Sequence, residues 1–446
     1  AADDAVDAEA TALLLDGLYD ADPIDEVVVT FDVEPYDRAV ELIAADHTVF
    51  KLPVSPEAYA VDGEPPPRSV HQLLDHPVQP SGTEPPAEGP YPKVQGIVLL
   101  YGKETNRPAR VVLETRRDEH FAKNVERLQT LLKPCLQKVH EEVTGQIGLL
   151  NYLGSQQLFR PRQQLDPRFR EALRKLPGDM LEHDLVQRPL SVLGGKTLRE
   201  AAADPAISRT AQAILLLLEL QADALDWDFD FDRYRSGLGL PAPAPVGADI
   251  LTNRPSIGVS CTKWRRIPLS EMTDEQVSGL MGYAAGIHLT KSAVRYAKEI
   301  ERRSSTVGTL PRIGAHQLLA DAAENADETL KHILTAAELI TDQKRSPARY
   351  LLSTLIPCLQ RGFSDAFTTI FERIQRNYMS EPGIAQSLYQ LLISMGVMTP
   401  DGKLVEQGAA AAAAESPTQG GIWTPDSGPA SASTESKSKL WVPGMD

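Results

Sequence analysis

The chain has few of the residues that form covalent cross-links or membrane anchors. Its 446 residues include three cysteines, Cys135, Cys261 and Cys358, and none of them belongs to a CxxC pair. Isolated cysteines in odd number argue against a disulfide framework or a Cys-based zinc site, and they fit a reducing compartment. The longest apolar run, residues 213–218, is far shorter than the ~20 residues needed to cross a bilayer. With an acidic N-terminus that lacks the apolar segment of a secretory signal, the sequence predicts a cytoplasmic protein without membrane contact.

Positive charge is also scarce. Lys and Arg number 45 against 61 Asp and Glu, so the net charge is −16. The average electrostatic field repels DNA and RNA, and we expect no general affinity for nucleic acid. The sharpest basic cluster is Lys263-Trp264-Arg265-Arg266. Cation and aromatic side chains can contact nucleic acid, but so short a cluster is more typical of a surface turn. A nucleic-acid- or ribosome-associated factor is therefore kept only as an alternative function.

Phosphate-loop and metal-protease motifs are incomplete. The stretch 194–197, Gly-Gly-Lys-Thr, has Leu190 where a phosphate loop needs its first glycine, and it is better interpreted as the start of a helix. His140 begins a stretch that resembles a zinc-protease helix, but the second histidine is missing. No Gly-x-Ser-x-Gly is present. We therefore interpret the chain as more typical of a non-catalytic protein that binds no cofactor. An enzyme or regulatory site in the N-terminal α/β region is kept as an alternative.

An acidic run at residues 226–232 places carboxylates at alternate positions. Such a run could hold Ca²⁺ through oxygen ligands. It departs from the EF-hand pattern, however, because Phe231 stands where glycine is required and Gly237 stands where the last glutamate is required. We expect a solvated acidic face whose aromatic residues pack inward, and we assign no metal.

The remaining composition is typical of a mostly helical globular protein. Hydrophobic residues make up 42% and aromatic residues only 6%, with Ala- and Leu-rich segments. The predicted fold is mainly α: a small α+β N-terminal region, a helical array with repeat-like helix pairs, and a disordered C-terminal tail. The predicted segments are a small α/β unit at 1–61, a Pro-rich linker at 62–93, a β-hairpin plus helix at 94–140, a helical domain at 141–240, a linker at 241–268, a helical repeat-like domain at 269–400 and the tail at 401–446. Capping boxes at Thr197 and Thr273 mark two helix starts.

Two segments resemble known families. The helix pairs at 315–398 resemble tetratricopeptide-type repeats, and residues 361–367, Arg-Gly-Phe-Ser-Asp-Ala-Phe, resemble the small-residue turn between their helices. The usual Trp/Leu/Gly/Tyr set is missing. This resemblance implies a concave surface that binds partner peptides. Residues 193–201 resemble the Leu-Gly-Gly-Lys-Thr-Pro opening of uncharacterised bacterial helical proteins and of the toxin-binding domain of some bacterial antitoxins, with Leu198 in place of the proline.

The tail repeats one short motif. Trp423 and Pro425 lie in Gly-Ile-Trp-Thr-Pro, and Trp441 and Pro443 lie in Lys-Leu-Trp-Val-Pro. An exposed tryptophan in a flexible segment brings no folding benefit, whereas tryptophan is a preferred anchor in protein interfaces. The sequence therefore predicts a scaffold or adaptor that binds other proteins through its helical surface and through these two Trp-x-Pro motifs. Docking of the tail back on the same chain and chance occurrence remain alternatives.

Overall fold

The N-terminal region is built on a six-stranded antiparallel sheet. The computed structural model describes residues 2–60, 65–78, 91–159, 167–252 and 258–394. The strands are β1 (Ile24–Val33), β2 (Val49–Lys51), β3 (Ser69–Leu74), β4 (Val94–Tyr101), β5 (Arg110–Arg116) and β6 (Leu136–Ile147). They lie in the order β2-β3-β4-β5-β1-β6, and every neighbouring pair is antiparallel. Strands β4 and β5 lie where the sequence predicted a hairpin.

Helices cover one face of this sheet and leave the other partly open. The first three helices are α1 (Ala2–Leu15), α2 (Tyr36–Ala45) and α3 (Phe121–Leu132). Side chains of a strand point alternately to opposite faces, so Val27, Val29 and Phe31 of β1 are buried in the core formed with α2 and α3. Val28 lies on the other face, beside a much smaller apolar cluster. The uncovered part of that second face is where a ligand has access.

Two of these strands lie where the sequence analysis expected other structure. Strand β3 lies within the predicted linker 62–93. Prolines lie before and after it but not within it, so its amide groups can pair with β2 and β4. Strand β6 extends into the predicted helical domain that starts at 141. Its many charged and polar residues look helical by composition, because an edge strand buries few side chains and so shows little apolar alternation.

The remaining regular elements of the described chain are helices, so the protein is mainly α as predicted. The helices are α4 (Leu149–Gly154), α5 (Pro167–His183), α6 (Leu198–Ala203), α7 (Ser208–Ala224), α8 (Phe231–Gly237), α9 (Cys261–Trp264), α10 (Asp274–Gly286), α11 (Thr290–Arg302), α12 (Thr309–Ala322), α13 (Ala326–Asp342), α14 (Ala348–Gln360), α15 (Ser364–Asn377) and α16 (Ile384–Ser394). From α10 to α13 each helix packs against the next one along the chain, and α14 packs against α15. Short connections favour such neighbouring pairs.

Helix α7 lies at the centre of the first helical core. All residues of its apolar run 213–218 are buried, and α1 packs against this helix. The two predicted capping boxes are confirmed: the Thr197 and Thr273 hydroxyls accept the N3 amides, and the N3 side chains Glu200 and Gln276 accept from the cap amides.

The segment 241–268, which the sequence predicted to be a linker, contributes to the second helical core. Its prolines come early, and later residues are buried among α10 and α11, including Val259, Trp264 and Ile267. The proline content therefore wrongly indicated a linker for the second half of this segment. Its apolar residues are buried in the core, which lowers their free energy.

A buried carboxylate joins α7 to α11. Asp223 is completely buried, and it accepts a hydrogen bond of 2.8 Å from the Ser292 amide and another from the Ser292 hydroxyl. Ser292 lies in the first turn of α11, where backbone amides have no partner within the helix. Asp223 therefore caps a helix that is distant from it in sequence.

Residues 1–388 form one compact unit. A second unit begins at Tyr389, and of it the structure describes residues 389–394 at the end of α16. The predicted disordered tail at 401–446 lies outside the described residues. Among the described residues no helix combines the length and apolar character needed to span a membrane.

Candidate docking groove on the sheet

A groove of about 730 Å³ lies on the open face of the sheet. Its floor includes Glu26 and Val28 of β1 and Glu114 of β5, and Val28 is the register partner of Glu114. Its walls include Tyr59, from the 3₁₀ turn Pro56–Tyr59, and Tyr152 of α4. The volume lies within the usual range of ligand-binding clefts, about 300–1,000 Å³. The groove exists because α2 and α3 pack only on the opposite face.

Negative charge predominates in this groove. Its lining carries three carboxyl groups, those of Glu26, Glu114 and Asp118, and one guanidinium, that of Arg116. Burial raises the pKa of the Glu114 carboxyl above its ordinary value, because a desolvated carboxylate is less stable than one in water. A cationic group placed beside Glu114 would favour its ionised form, so the groove favours a positively charged ligand.

One wall is held in place by a tyrosine–aspartate hydrogen bond. The Tyr152 hydroxyl donates to Asp118 Oδ2 at 2.8 Å, and the other oxygen of Asp118 accepts the His120 amide at 2.9 Å. Burial and the nearby Asp118 charge raise the pKa of Tyr152. Tyr152 therefore stays protonated and keeps donating. The Arg116 guanidinium lies 5.6 Å from the Tyr152 ring centroid, within the range of a cation–π contact.

Amide side chains make up much of the remaining lining. Four glutamines line the groove, Gln72, Gln95, Gln156 and Gln157. Each carboxamide offers both donors and an acceptor. A peptide backbone presents the same two functions.

Strand β6 forms one edge of the sheet beside the groove. It pairs with β1 on one side, and it is the last strand in the sheet order. Regular pairing runs from Lys138 to Val143, between two register irregularities. Val143 is 49% exposed, and Thr144 lines the groove. An edge strand presents unpaired backbone groups that can pair with a strand of another chain. The charged side chains of the edge strand determine which other strands can pair with it.

The structure does not describe the candidate binding residues of the tail. Trp423, Pro425, Trp441 and Pro443 lie outside the described residues. The tail motifs therefore remain predictions from sequence.

The glycine-rich stretch before α6 has the geometry of a helix start. Gly194 and Gly195 both have positive φ, at 67° and 80°, a conformation that glycine adopts without strain. Leu190 and Lys196 form a β-bridge around this turn, and Thr197 caps α6. These features match the interpretation made from the sequence.

The acidic run 226–232 does not gather its carboxylates around one point. Asp230 caps α8 by accepting the Asp232 and Arg233 amides, and Asp226 pairs with Arg174. Trp227 in the same run is buried, as the inward-facing interpretation expected. Within the described ranges, the group with metal-ligand spacing lies elsewhere and contains none of these aspartates.

The basic cluster at 263–266 is neutralised within the fold. Trp264 is 4% exposed, so its ring is not accessible for stacking on a base. Lys263 and Arg266 both form ion pairs with Asp7, and Arg265 lies 3.5 Å from Glu219. The contacts with Asp7 attach α1 to the segment before α10, and the contact with Glu219 attaches that segment to α7.

Comparison with protein-family models, curated proteins and solved structures finds no match to this chain. The groove residues were not singled out from sequence. The lining mixes common polar residues with aliphatic ones, and the groove forms only when five strands and α4 come together. The one available signal was the alternation in 110–116, which places Glu114 and Arg116 on the face opposite the apolar Val111 and Leu113.

Proposed function

We propose that this protein is a non-catalytic adaptor that binds an extended, basic segment of a partner protein. The observation that supports this proposal most directly is the groove on the open sheet face, with three carboxyl groups against one guanidinium. Opposite charge across an interface accelerates association and selects the partner. The net charge of −16 adds a long-range attraction for the same kind of segment.

An extended conformation of the ligand follows from the surroundings of the groove. The four glutamines suit backbone amides and carbonyls rather than a compact apolar ligand. The edge of β6 offers backbone pairing next to the groove at Thr144. In an added strand, side chains alternate between faces, so lysine or arginine at every second position would lie on the groove side of the sheet.

The helical surface and the tail provide further contacts in this proposal. The helix pairs at 315–398 would provide the partner-binding surface that the tetratricopeptide resemblance implies. The two Trp-x-Pro motifs on one tether would raise the effective concentration of a multivalent partner. Replacement of Trp423 and Trp441 by alanine is expected to weaken partner binding without loss of helicity.

One observation favours the alternative of an enzyme in the N-terminal region. Glu114 has a raised pKa and lies in a cleft, which is the environment of many general acids and bases. Chemical conversion of a bound peptide, lost in a Glu114→Gln variant, would support that alternative over the adaptor.

The decisive experiment selects displayed random peptides against the full chain. We expect enriched peptides to carry Lys or Arg at alternate positions, with binding that weakens as salt rises. Glu114→Gln should raise the Kd of an enriched peptide at least about tenfold, because the cation no longer meets a carboxylate on the floor of the groove. Glu275→Gln on the exposed surface of α10 is the matched control and should leave the Kd unchanged.

Three results would contradict the proposal. The first is an enriched set without basic residues, and the second is an unchanged Kd in Glu114→Gln. The third concerns the chain's own tail, tested with synthetic peptides 419–428 and 435–446 as competitors. The tail would be the favoured occupant of the groove if these peptides displace the selected ligand at a concentration equal to or lower than that of the unlabelled selected peptide.

A further inference from the structure

Two histidines of the helical array face each other across a buried helix interface. His316 of α12 and His332 of α13 are 6% and 8% exposed, and their Nδ1 atoms lie 3.0 Å apart. The ring centroids are 5.2 Å apart, with 32° between the ring planes. Two nitrogens at this distance cannot both carry a proton, so either one proton or one cation lies between them.

A carboxylate completes this group. Glu301 lies in the last turn of α11, and one of its oxygens lies within 4.8 Å of a ring nitrogen of each histidine. Its ion-pair partner, Lys331, is 3.9 Å away and largely exposed, which makes that contact weak. The Glu301 carboxylate can therefore turn inward without the loss of a strong interaction. The group draws on three consecutive helices that pack on one another.

The geometry suits a small ion. Zinc binds imidazole nitrogen at about 2.0–2.1 Å, so two such ligands of a tetrahedral ion lie roughly 3.4 Å apart. The observed 3.0 Å separation reaches this value with a shift of a few tenths of an ångström. Glu301 needs a movement of about 1–1.5 Å, which a change of side-chain torsion supplies.

The donor set selects the class of ion. Two imidazoles and one carboxylate suit borderline first-row metals, whereas Mg²⁺ and Ca²⁺ prefer oxygen ligands alone. Three protein ligands leave one tetrahedral position for water, as in zinc sites with an open position. We propose that Glu301, His316 and His332 bind one divalent first-row transition-metal ion, with Zn²⁺ as the fitting case, at the junction of α11, α12 and α13.

This site goes beyond the adaptor function and is independent of the groove. None of its residues lines the groove, and it belongs to a different part of the fold. The competing explanation is a direct hydrogen bond between the imidazoles, with one Nδ1 protonated and no ion. In that case the pair only satisfies two buried polar groups.

The test is titration of the metal-stripped full chain with Zn²⁺ by calorimetry and with Co²⁺ by visible absorption. We expect one ion per chain and a tetrahedral Co²⁺ spectrum. His316→Gln and His332→Gln should each weaken binding by at least about 100-fold, since even outer-sphere changes cost 10–100-fold. Glu301→Gln should weaken it less. His140→Gln, on the exposed edge strand, is the matched control and should bind as the unaltered chain does.

Absence of stoichiometric binding would overturn the proposal, and so would unchanged binding in His316→Gln. If a histidine variant fails to fold, X-ray absorption of the Co²⁺-loaded unaltered chain decides instead. Two imidazole nitrogens with oxygen in the coordination shell support the site. A thiolate in the shell places the ion on a cysteine and refutes it. The groove variant Glu114→Gln should keep full metal binding, so this test and the peptide test succeed or fail separately.

Discussion

The structure predicts that acid destabilises the sheet through one buried histidine. His71 in β3 is 5% exposed, its Nε2 lies 3.0 Å from the Ser69 hydroxyl, and its Nδ1 has no hydrogen-bond partner in the described part of the chain. Burial, with a smaller effect from the neighbouring Lys51 charge, lowers the pKa of His71 from 6.5 to about 4. A charged imidazole at this position would be desolvated beside another cation.

The direction of the effect follows from proton linkage. The unfolded chain protonates His71 near pH 6.5 and the folded chain only near pH 4, so the unfolded state binds more protons between these values. Stability that is present above pH 6.5 is lost as the pH falls to about 4. One pKa unit corresponds to about 1.4 kcal/mol, so the loss between pH 7 and pH 5 is about 2 kcal/mol, and the full loss is about 3 kcal/mol.

Urea unfolding of the unaltered chain and of His71→Gln, at pH 7 and pH 5, measures this effect. Glutamine is neutral at both pH values. Between pH 7 and pH 5 the free energy of unfolding of the variant should therefore fall by about 2 kcal/mol less than that of the unaltered chain. His140→Gln, on the exposed face of β6 in the same sheet, should behave like the unaltered chain. Equal pH dependence in His71→Gln and the unaltered chain would refute the assignment of a depressed pKa to His71.

Two further predictions concern buried carboxylates. Asp223→Asn should lower the free energy of unfolding by about 2 kcal/mol, because it weakens the charge-assisted bonds to the first turn of α11; a change below about 0.5 kcal/mol in urea unfolding would show that this cap is dispensable. Glu299 accepts hydrogen bonds from Arg302 and Arg303, which lower its pKa to about 2. The contribution of the Glu299 carboxylate to the free energy of unfolding is present above pH ~4.5 and is lost as the pH falls towards 2. Glu299→Gln should therefore cost about 2 kcal/mol at pH 7 and almost nothing near pH 2, and an equal cost at both pH values would contradict this reasoning.

Local signals in the sequence predicted a substantial part of the fold. The capping boxes at Thr197 and Thr273 mark helix starts because the hydroxyl, the amide and the N3 side chain lie within four residues of one another. The hairpin of β4 and β5 was found from two β-branched runs around a polar turn. The mainly helical class followed from composition and periodicity.

Strand β6 and the second half of the segment 241–268 depend on distant partners and were not predicted. Strand β6 buries few side chains, and only its pairing with β1 makes it a strand. Trp264 and Ile267 were predicted to lie in a linker, whereas in the structure they are buried in the core formed with α10 and α11. In both cases the residues in contact are far apart in sequence, so no local sequence pattern predicts their contact.

The candidate binding sites also depend partly on local sequence and partly on tertiary contacts. The sequence by itself determined the helical class, the acidic charge and the absence of familiar catalytic motifs, because these depend on composition or on neighbouring residues. The tertiary structure decided which face of the sheet stays uncovered and where Glu26, Glu114 and Asp118 meet. It also decided that His316 and His332 face each other. Side chains on different elements are brought together by packing, and the free energy of packing depends on the whole core rather than on any one segment.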